Sequence, residues 1–494
     1  MTDNEPALNG SARDTGGIGG HPRGLTTLFF TEMWERLSYY GMRSFLVLFM
    51  TASAATGGLG LTTAVAARVY GLYTASVYLA ALPGGWIADH LIGLRKAVLW
   101  GGFAIMAGHF TLAIPSDTAF YTGLILIVIG TGLLKPNISA MVGELYDRDD
   151  PRKDSGFSLY YMGINLGAFL APLVCGTLAQ RVGWHWGFGA AGVGMMFGLI
   201  QYVLTANRLG TAGKPPEKSS GGFKFELSLS GTLWLVGVGM ILMAMAGDLV
   251  FGLELSQLQR FVTLAAGASI FIVSLYVGGD YSPKEKKQGF SIYFLFLVAA
   301  LFWAGFEQAG SSLTLFADRM TNNNAFGIAF PSSWYQSLNP VYIILLAPVF
   351  SWLWIKMGDK QPSSPAKFSL GLVGVGVGFV VMVLAAQRAA GGDGVDPSWL
   401  MATYLLHTLG ELCLSPVGLS VMTKLAPQKI GGQIMGVWFL AAAIGNYMGG
   451  EIAGLFETFP LPQLFGSVAA VNIAVAVVVI ALTPMVRRQM GGVK

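Results

Sequence analysis

Apolar residues come in runs of about 20, the length a helix needs to cross the hydrocarbon core of a bilayer, and the runs continue with short polar interruptions almost to the end of the chain. Read at that length, the pattern predicts roughly fourteen transmembrane helices. Six fall over about 25–207, two over about 228–278 and six over about 288–487. A polar stretch over 208–226, with Lys214, Pro215, Pro216, Lys218 and the run Ser219-Ser220-Gly221-Gly222, opens the central pair, and another over 279–288 closes it. The expected organisation is a tail over 1–23, a six-helix bundle over 24–207, a linker with two extra helices over 208–287, a second six-helix bundle over 288–487 and a tail over 488–494.

Composition agrees with lipid as the solvent. The chain has 494 residues, of which 53% are hydrophobic and 11% charged, against about 25% charged in an ordinary soluble domain. Cys175 and Cys413 lie far apart inside apolar runs, so no disulfide framework is expected. The hydrophilic, Gly-rich first residues lack the apolar core and small-residue cleavage site of a signal peptide.

Lysines orient the predicted bundle, because cytoplasmic loops are enriched in Lys and Arg. Lys96, Lys153, Lys214, Lys284, Lys286, Lys287, Lys356, Lys360, Lys367, Lys424, Lys429 and Lys494 fall in alternate connections or the tail. Both termini are therefore expected in the cytoplasm. Lys135 breaks the pattern by lying inside an apolar run, which makes it a functional candidate.

The first span carries the most informative pattern, Glu32-Met33-Trp34-Glu35-Arg36-Leu37-Ser38-Tyr39-Tyr40-Gly41-Met42-Arg43. Glu32, Glu35, Arg36, Tyr39 and Arg43 recur at spacings of three or four and so share one helical face. Each charge at mid-depth costs roughly 2.5–3.5 kcal/mol, so four unpaired ones would cost on the order of 10 kcal/mol. That face must meet a polar cavity and ion-pair partners. Later spans add Lys135-Pro136-Asn137, Tyr160-Tyr161 with Asn165, Trp303 with Glu307, Asn339, and Glu411. Both signs of charge, spread over both halves, suit a zwitterion with a carboxylate and an ammonium a few ångströms apart.

The connection Gly84-Gly85-Trp86-Ile87-Ala88-Asp89-His90-Leu91-Ile92-Gly93-Leu94-Arg95-Lys96 resembles the loop signature of the major facilitator superfamily, and 354–360 is a degraded echo of it. Glu-x-x-Glu-Arg with Tyr-Tyr-Gly in the first span, and Phe157-x-x-Tyr-Tyr-x-x-x-Asn-x-Gly167 in the fifth, resemble the two signatures of the proton-coupled oligopeptide transporter family, bacterial type. The likeness spans nearly the whole chain. Leu37 stands where the family usually has Phe and His90 where it usually has Arg, which bears on packing and loop contacts.

The resemblance implies an all-α integral membrane protein of the major facilitator fold: two six-helix bundles plus an inserted helix pair. It implies a proton symporter importing di- and tripeptides by alternating access across the bacterial inner membrane. By the same resemblance, Arg36 and Lys135 attract the peptide carboxylate, with Arg43 in that positive region, and Glu411 receives the amino group. Asn165 and Asn339 hydrogen-bond the peptide, and Tyr39, Tyr40, Tyr78, Trp303, Trp438 and Phe439 wall its pockets. Beside the resemblance, salt bridges are the expected switch for proton coupling and gating by Glu32, Glu35, Arg36, Arg43, Lys135 and Glu307: Arg43 pairs with Glu307 to close the outer side, and Lys135 pairs with Glu32 or Glu35 in another state. No cofactor or metal is implied beyond the coupling proton, and no nucleic-acid partner; a monomer in membrane lipid is expected.

Other classes fit less well. His407 and Glu411 are four apart, but no third metal ligand sits in that span and no His-Glu-x-x-His occurs. No phosphate-binding Gly-x-x-x-x-Gly-Lys-Ser/Thr motif is present for ATP-driven transport. A related transporter of nitrate, amino acids or drugs, or a channel or receptor on the same scaffold, stays open, with Glu411 favouring an ammonium-bearing substrate.

Overall fold

The computed structural model describes residues 14–147, 149–215, 228–253, 255–277, 279–325 and 327–493. The linker positions Pro216, Lys218 and 219–222, and Lys494, lie outside the described residues. Fourteen long helices follow one another among the described residues. They are α1 (Arg23–Thr51), α2 (Thr63–Ile92), α3 (Leu94–Leu112), α4 (Asp117–Glu144), α5 (Lys153–Arg181) and α6 (Trp184–Leu209). Next come α7 (Leu229–Phe251) and α8 (Gln257–Ser274), then α9 (Pro283–Arg319), α10 (Ser332–Lys360), α11 (Ser364–Ala389), α12 (Ser398–Leu425), α13 (Gly431–Ala453) and α14 (Leu461–Gln489). A two-residue hairpin, β1 (Asn324–Ala325) with β2 (Ile328–Ala329), joins α9 to α10. Eleven of the helices are long and apolar enough by themselves to cross a bilayer. The others are α1, α3 and α13, and α1 carries Glu32, Glu35, Arg36 and Arg43 along its length.

The helices form two compact units. One holds the described residues up to Phe45 and those from Ala80 to Pro215; its core draws Leu28 from α1, Val98 from α3, Ile138 from α4, Tyr160 from α5 and Met195 from α6. The other holds Leu46–Leu79 and the described residues from Ser228 onward. In it α11 packs on α12 and α14, α9 on α13, and α7 on α8.

Helix breaks occur where polar backbone is freed and then satisfied, as a membrane interior demands. Pro172 opens a π turn over Pro172–Gly176 in α5. In α9 the regular helix stops at Phe306, a 3-10 turn runs over Glu307–Gly310, and helix resumes at Ser312. The freed Ala309 carbonyl accepts from Thr314 Oγ1 at 2.7 Å and Tyr404 OH at 3.3 Å.

The signature read as a connection over 84–96 is mostly helix. A π turn over Ala88–Ile92 carries α2 onward, and Gly93, at φ 80°, alone separates it from α3. Its basic residue has structural work within the unit: Arg95 donates to the carbonyls of Ala212 at 2.6 Å and Gly210 at 2.7 Å, tying down the segment after α6. The lysines expected in alternate connections do fall at every second helix junction, several of them in first or last turns, such as Lys153, Lys284 and Lys356.

Candidate functional site

Candidate residues divide between the two units. In the first, the charged face of α1 is dry: Glu35 is 0% exposed and Arg36 4%. Arg36 Nε donates to Glu32 Oε1 at 2.7 Å and lies 3.0 Å from Glu35 Oε2. Among the described residues, neither Glu35 oxygen receives a hydrogen bond. Lys135, half-buried on α4, acts electrostatically on Glu35. Glu32, Glu35 and Arg36 of α1 and Lys135 of α4 thus form a neutral quartet shared by two helices, the arrangement that makes charges tolerable in apolar spans.

The α5 motif explains how backbone comes close enough to form that cluster. A Cβ at Gly167 would collide with the Met33 carbonyl and lie 3.0 Å from Arg36 Cβ, and one at Gly163 would lie 2.9 Å from the Phe29 ring. Two glycines one turn apart let α5 lie against α1, as small residues do between membrane helices. Asn165, between them, is buried and donates to the Tyr161 carbonyl in its own helix at 2.9 Å. Arg43 is buried with its guanidinium 5.6 Å from the Tyr40 ring centre, and Tyr39 meets Tyr40 edge-on at 5.3 Å.

In the second unit Asn339 of α10 bridges to α12, its amide donating to Glu411 Oε2 at 2.8 Å and to Thr408 Oγ1 at 3.0 Å. Glu307, at the break in α9, is buried and exerts a like-charge interaction on Glu411. One turn before Glu411, His407 lies with its ring 5.1 Å from Phe379 and 6.3 Å from Phe306. Trp303 is buried on α9 with its indole N–H unpartnered. Trp438 packs its ring on Gly418 and against Phe368 at 6.4 Å, a position inside the α11–α12–α13 packing. Tyr78 and Phe439 are half-buried.

Some polar partners escaped the sequence reading. Tyr160 is buried with its hydroxyl 3.3 Å from Ser139 Oγ and interacts with Glu32, and Thr408 shares Asn339 with Glu411. Arg68, Asp248, Arg260 and Glu451 also lie within helices of the second unit and form ion pairs there. A charge inside an apolar run was the available signal for these four.

A family model described as the POT family matches residues 95–469. The chain is 44% identical over 97% of its length to an uncharacterized transporter YclF of Bacillus subtilis, covering 96% of that protein. It is 36% identical over 96% of its length to a di-/tripeptide transporter of Lactococcus lactis, covering 98% of it. The crystal structure of peptide transporter POT in complex with sulfate superposes with a TM-score of 0.85 at 40% identity, over 98% of this chain and 99% of that one.

Proposed function

The chain belongs to the POT family, and on that premise we propose that it is a proton-coupled symporter importing di- and tripeptides by alternating access. One observation carries the reading beyond kinship: opposite-sign groups stand on each unit, a buried guanidinium and a half-buried ammonium in the first and a half-buried carboxylate held by an amide in the second. Such groups suit the two ends of a zwitterion, because charge-assisted hydrogen bonds are strongest where water is excluded. No covalent step is required of them, and we read the chain as a transporter and not an enzyme.

In this reading Arg36 and Lys135 attract the peptide carboxylate and Glu411 receives its amino group, with Asn339 orienting the Glu411 oxygens. Asn165 and the aromatic residues Tyr39, Tyr40, Tyr78, Trp303 and Phe439 contact the rest of the peptide, while Trp438 supports them from within the helix packing. Glu35 is the leading proton carrier, since among the described residues its oxygens are held by the Arg36 ion pair without a hydrogen bond, and protonating it frees Lys135 and Arg36 for a substrate carboxylate. Glu32, Arg43 and Glu307 complete the coupling and gating set. Each ligand drives the cycle only by binding one state better than the other.

The lysines at every second junction support an orientation with both termini cytoplasmic, and kinship with bacterial transporters supports the bacterial inner membrane. The membrane potential then contributes about 2.3 kcal/mol per charge per 100 mV to drawing in a proton with a neutral zwitterion. Reconstituted protein should take up labelled dialanine faster with an inward proton gradient, and tripeptides should compete where free alanine and nitrate do not. Gradient-independent flux, or competition by nitrate alone, would refute the proposal.

A further inference from the structure

The inserted pair α7–α8 carries two charges that transport of a peptide does not explain, Asp248 and Arg260. Asp248 Oδ2 lies 2.5 Å from Arg68 Nη2 of α2, and its Oδ1 lies 3.6 Å from Arg260 Nη1. Arg68 Nε also reaches Glu451 Oε1 of α13 at 3.5 Å. Arg260 Nη1 donates to the Tyr447 hydroxyl of α13 at 3.5 Å, and Tyr447 donates to the Ala244 carbonyl of α7 at 3.1 Å. Gln257, the first residue of α8, hydrogen-bonds Glu451. Two cations and two anions from four helices therefore form one neutral network, all within the second unit. Arg68 and Asp248 are only 29% and 19% exposed, so solvent screens the pair weakly.

This network sits on the seam between the first half of α2 and α13, both in the second unit. The first half of α2 belongs to the second unit and the rest to the first. One turn beyond Arg68, Gly71 meets Gly450 of α13 backbone to backbone, and a Cβ at Gly71 would lie 2.8 Å from Gly450 Cα. That contact is all van der Waals and has little to hold it once separated. Nearer the start of α2, Thr63 donates to Glu457 at 2.5 Å, and Arg319 reaches the same oxygen at 2.7 Å. The seam is thus bounded by polar locks, and the larger one is supplied half by the inserted helices.

We propose that α7–α8 is an ionic clamp whose Asp248 and Arg260 hold the first half of α2 on α13, and so set how often that end of the transporter opens. In the orientation proposed above, the clamp lies at the non-cytoplasmic end, where the α7–α8 turn and the α13–α14 connection also fall. The consequence for transport rests on the peptide-symport reading, whereas the clamp itself can be read without it.

The test is cysteine accessibility. In full-length protein with Cys175 and Cys413 replaced by alanine, Ala67→Cys places a single thiol on the seam, where Ala67 is 0% exposed. Labelling by a membrane-impermeant maleimide in intact cells should accelerate at least about 5-fold in Asp248→Asn and in Arg68→Gln. The double variant should be no faster than the faster single one, because the two residues act through one bond. Asp248→Glu, which keeps the charge, should label at close to the parental rate and separates loss of the clamp from misfolding. Ser269→Ala on α8, outside the network, should have no effect. Parental labelling rates in folded Asp248→Asn and Arg68→Gln would overturn the proposal. Peptide uptake is measured in the same cells: if the parent carries no peptide while labelling still responds, the transport reading fails and the clamp stands.

Discussion

Arg36 is the sharpest place to test the charge balance of the first unit. Its guanidinium is within 3.0 Å of two carboxylates, and both Glu32 and Glu35 have at most 2% of the side chain exposed. Removing one member of a buried pair costs about 3–5 kcal/mol, because the remaining ion stays dehydrated and unpaired. Arg36→Gln leaves two carboxylates facing Lys135 alone, a surplus of one negative charge. The expected loss is therefore about 3–5 kcal/mol. Replacing Glu35 as well restores neutrality, leaving Glu32 opposite Lys135, and should recover about 2 kcal/mol or more. Reversible unfolding in mixed detergent micelles, followed by tryptophan fluorescence, measures all three proteins on one scale. A loss below about 1 kcal/mol for Arg36→Gln would mean the site is solvated like a surface pair. An Arg36→Gln/Glu35→Gln protein no more stable than Arg36→Gln would equally refute the reasoning, since then the missing hydrogen bonds, not the unbalanced charge, carry the cost.

The remaining predictions concern transport, packing and pH. Lys135→Ala should abolish gradient-driven dialanine uptake in proteoliposomes while leaving peptide exchange measurable, and driven uptake at the parental rate would remove Lys135 from coupling. Glu411→Gln should weaken binding of free peptides at least about tenfold, equivalent to about 1.4 kcal/mol, and of N-acetylated ones far less, as read by ligand-induced thermal shift. Gly445→Ala should destabilise by about 1–3 kcal/mol in thermal unfolding, because the new methyl would meet the Ala300 carbonyl at 2.7 Å as well as Trp303. The hydrogen bond from Thr63, and then that from Arg319, hold the Glu457 carboxyl below its usual range. Its folded value is depressed, so its stabilisation is complete above about pH 4.3 and is lost as pH falls through the lower folded value. Glu457→Gln should flatten that acid limb in melting temperature measured from pH 3 to 6.

Much of the fold was legible because a bilayer imposes one length scale and one solvent on every span. Runs of about 20 apolar residues predict helices whatever their neighbours, and the fourteen helices follow. The cost of charge in lipid marked Glu32, Glu35, Arg36, Lys135, Glu307 and Glu411 in the same way, since that cost attaches to a residue type at a depth. Partnership was a different matter. Which carboxylate Arg36 engages, that Asn339 is shared by Thr408 and Glu411, and that Trp438 lies on Gly418 depend on which helices pack together. Arg68, Asp248, Arg260 and Glu451 make the limit plain: each stands with no other charge within ten residues in its own helix, and they come from four helices up to hundreds of residues apart. Burial cost is a local property that one segment can display, whereas charge compensation is a distance between segments, and only the tertiary structure sets that distance.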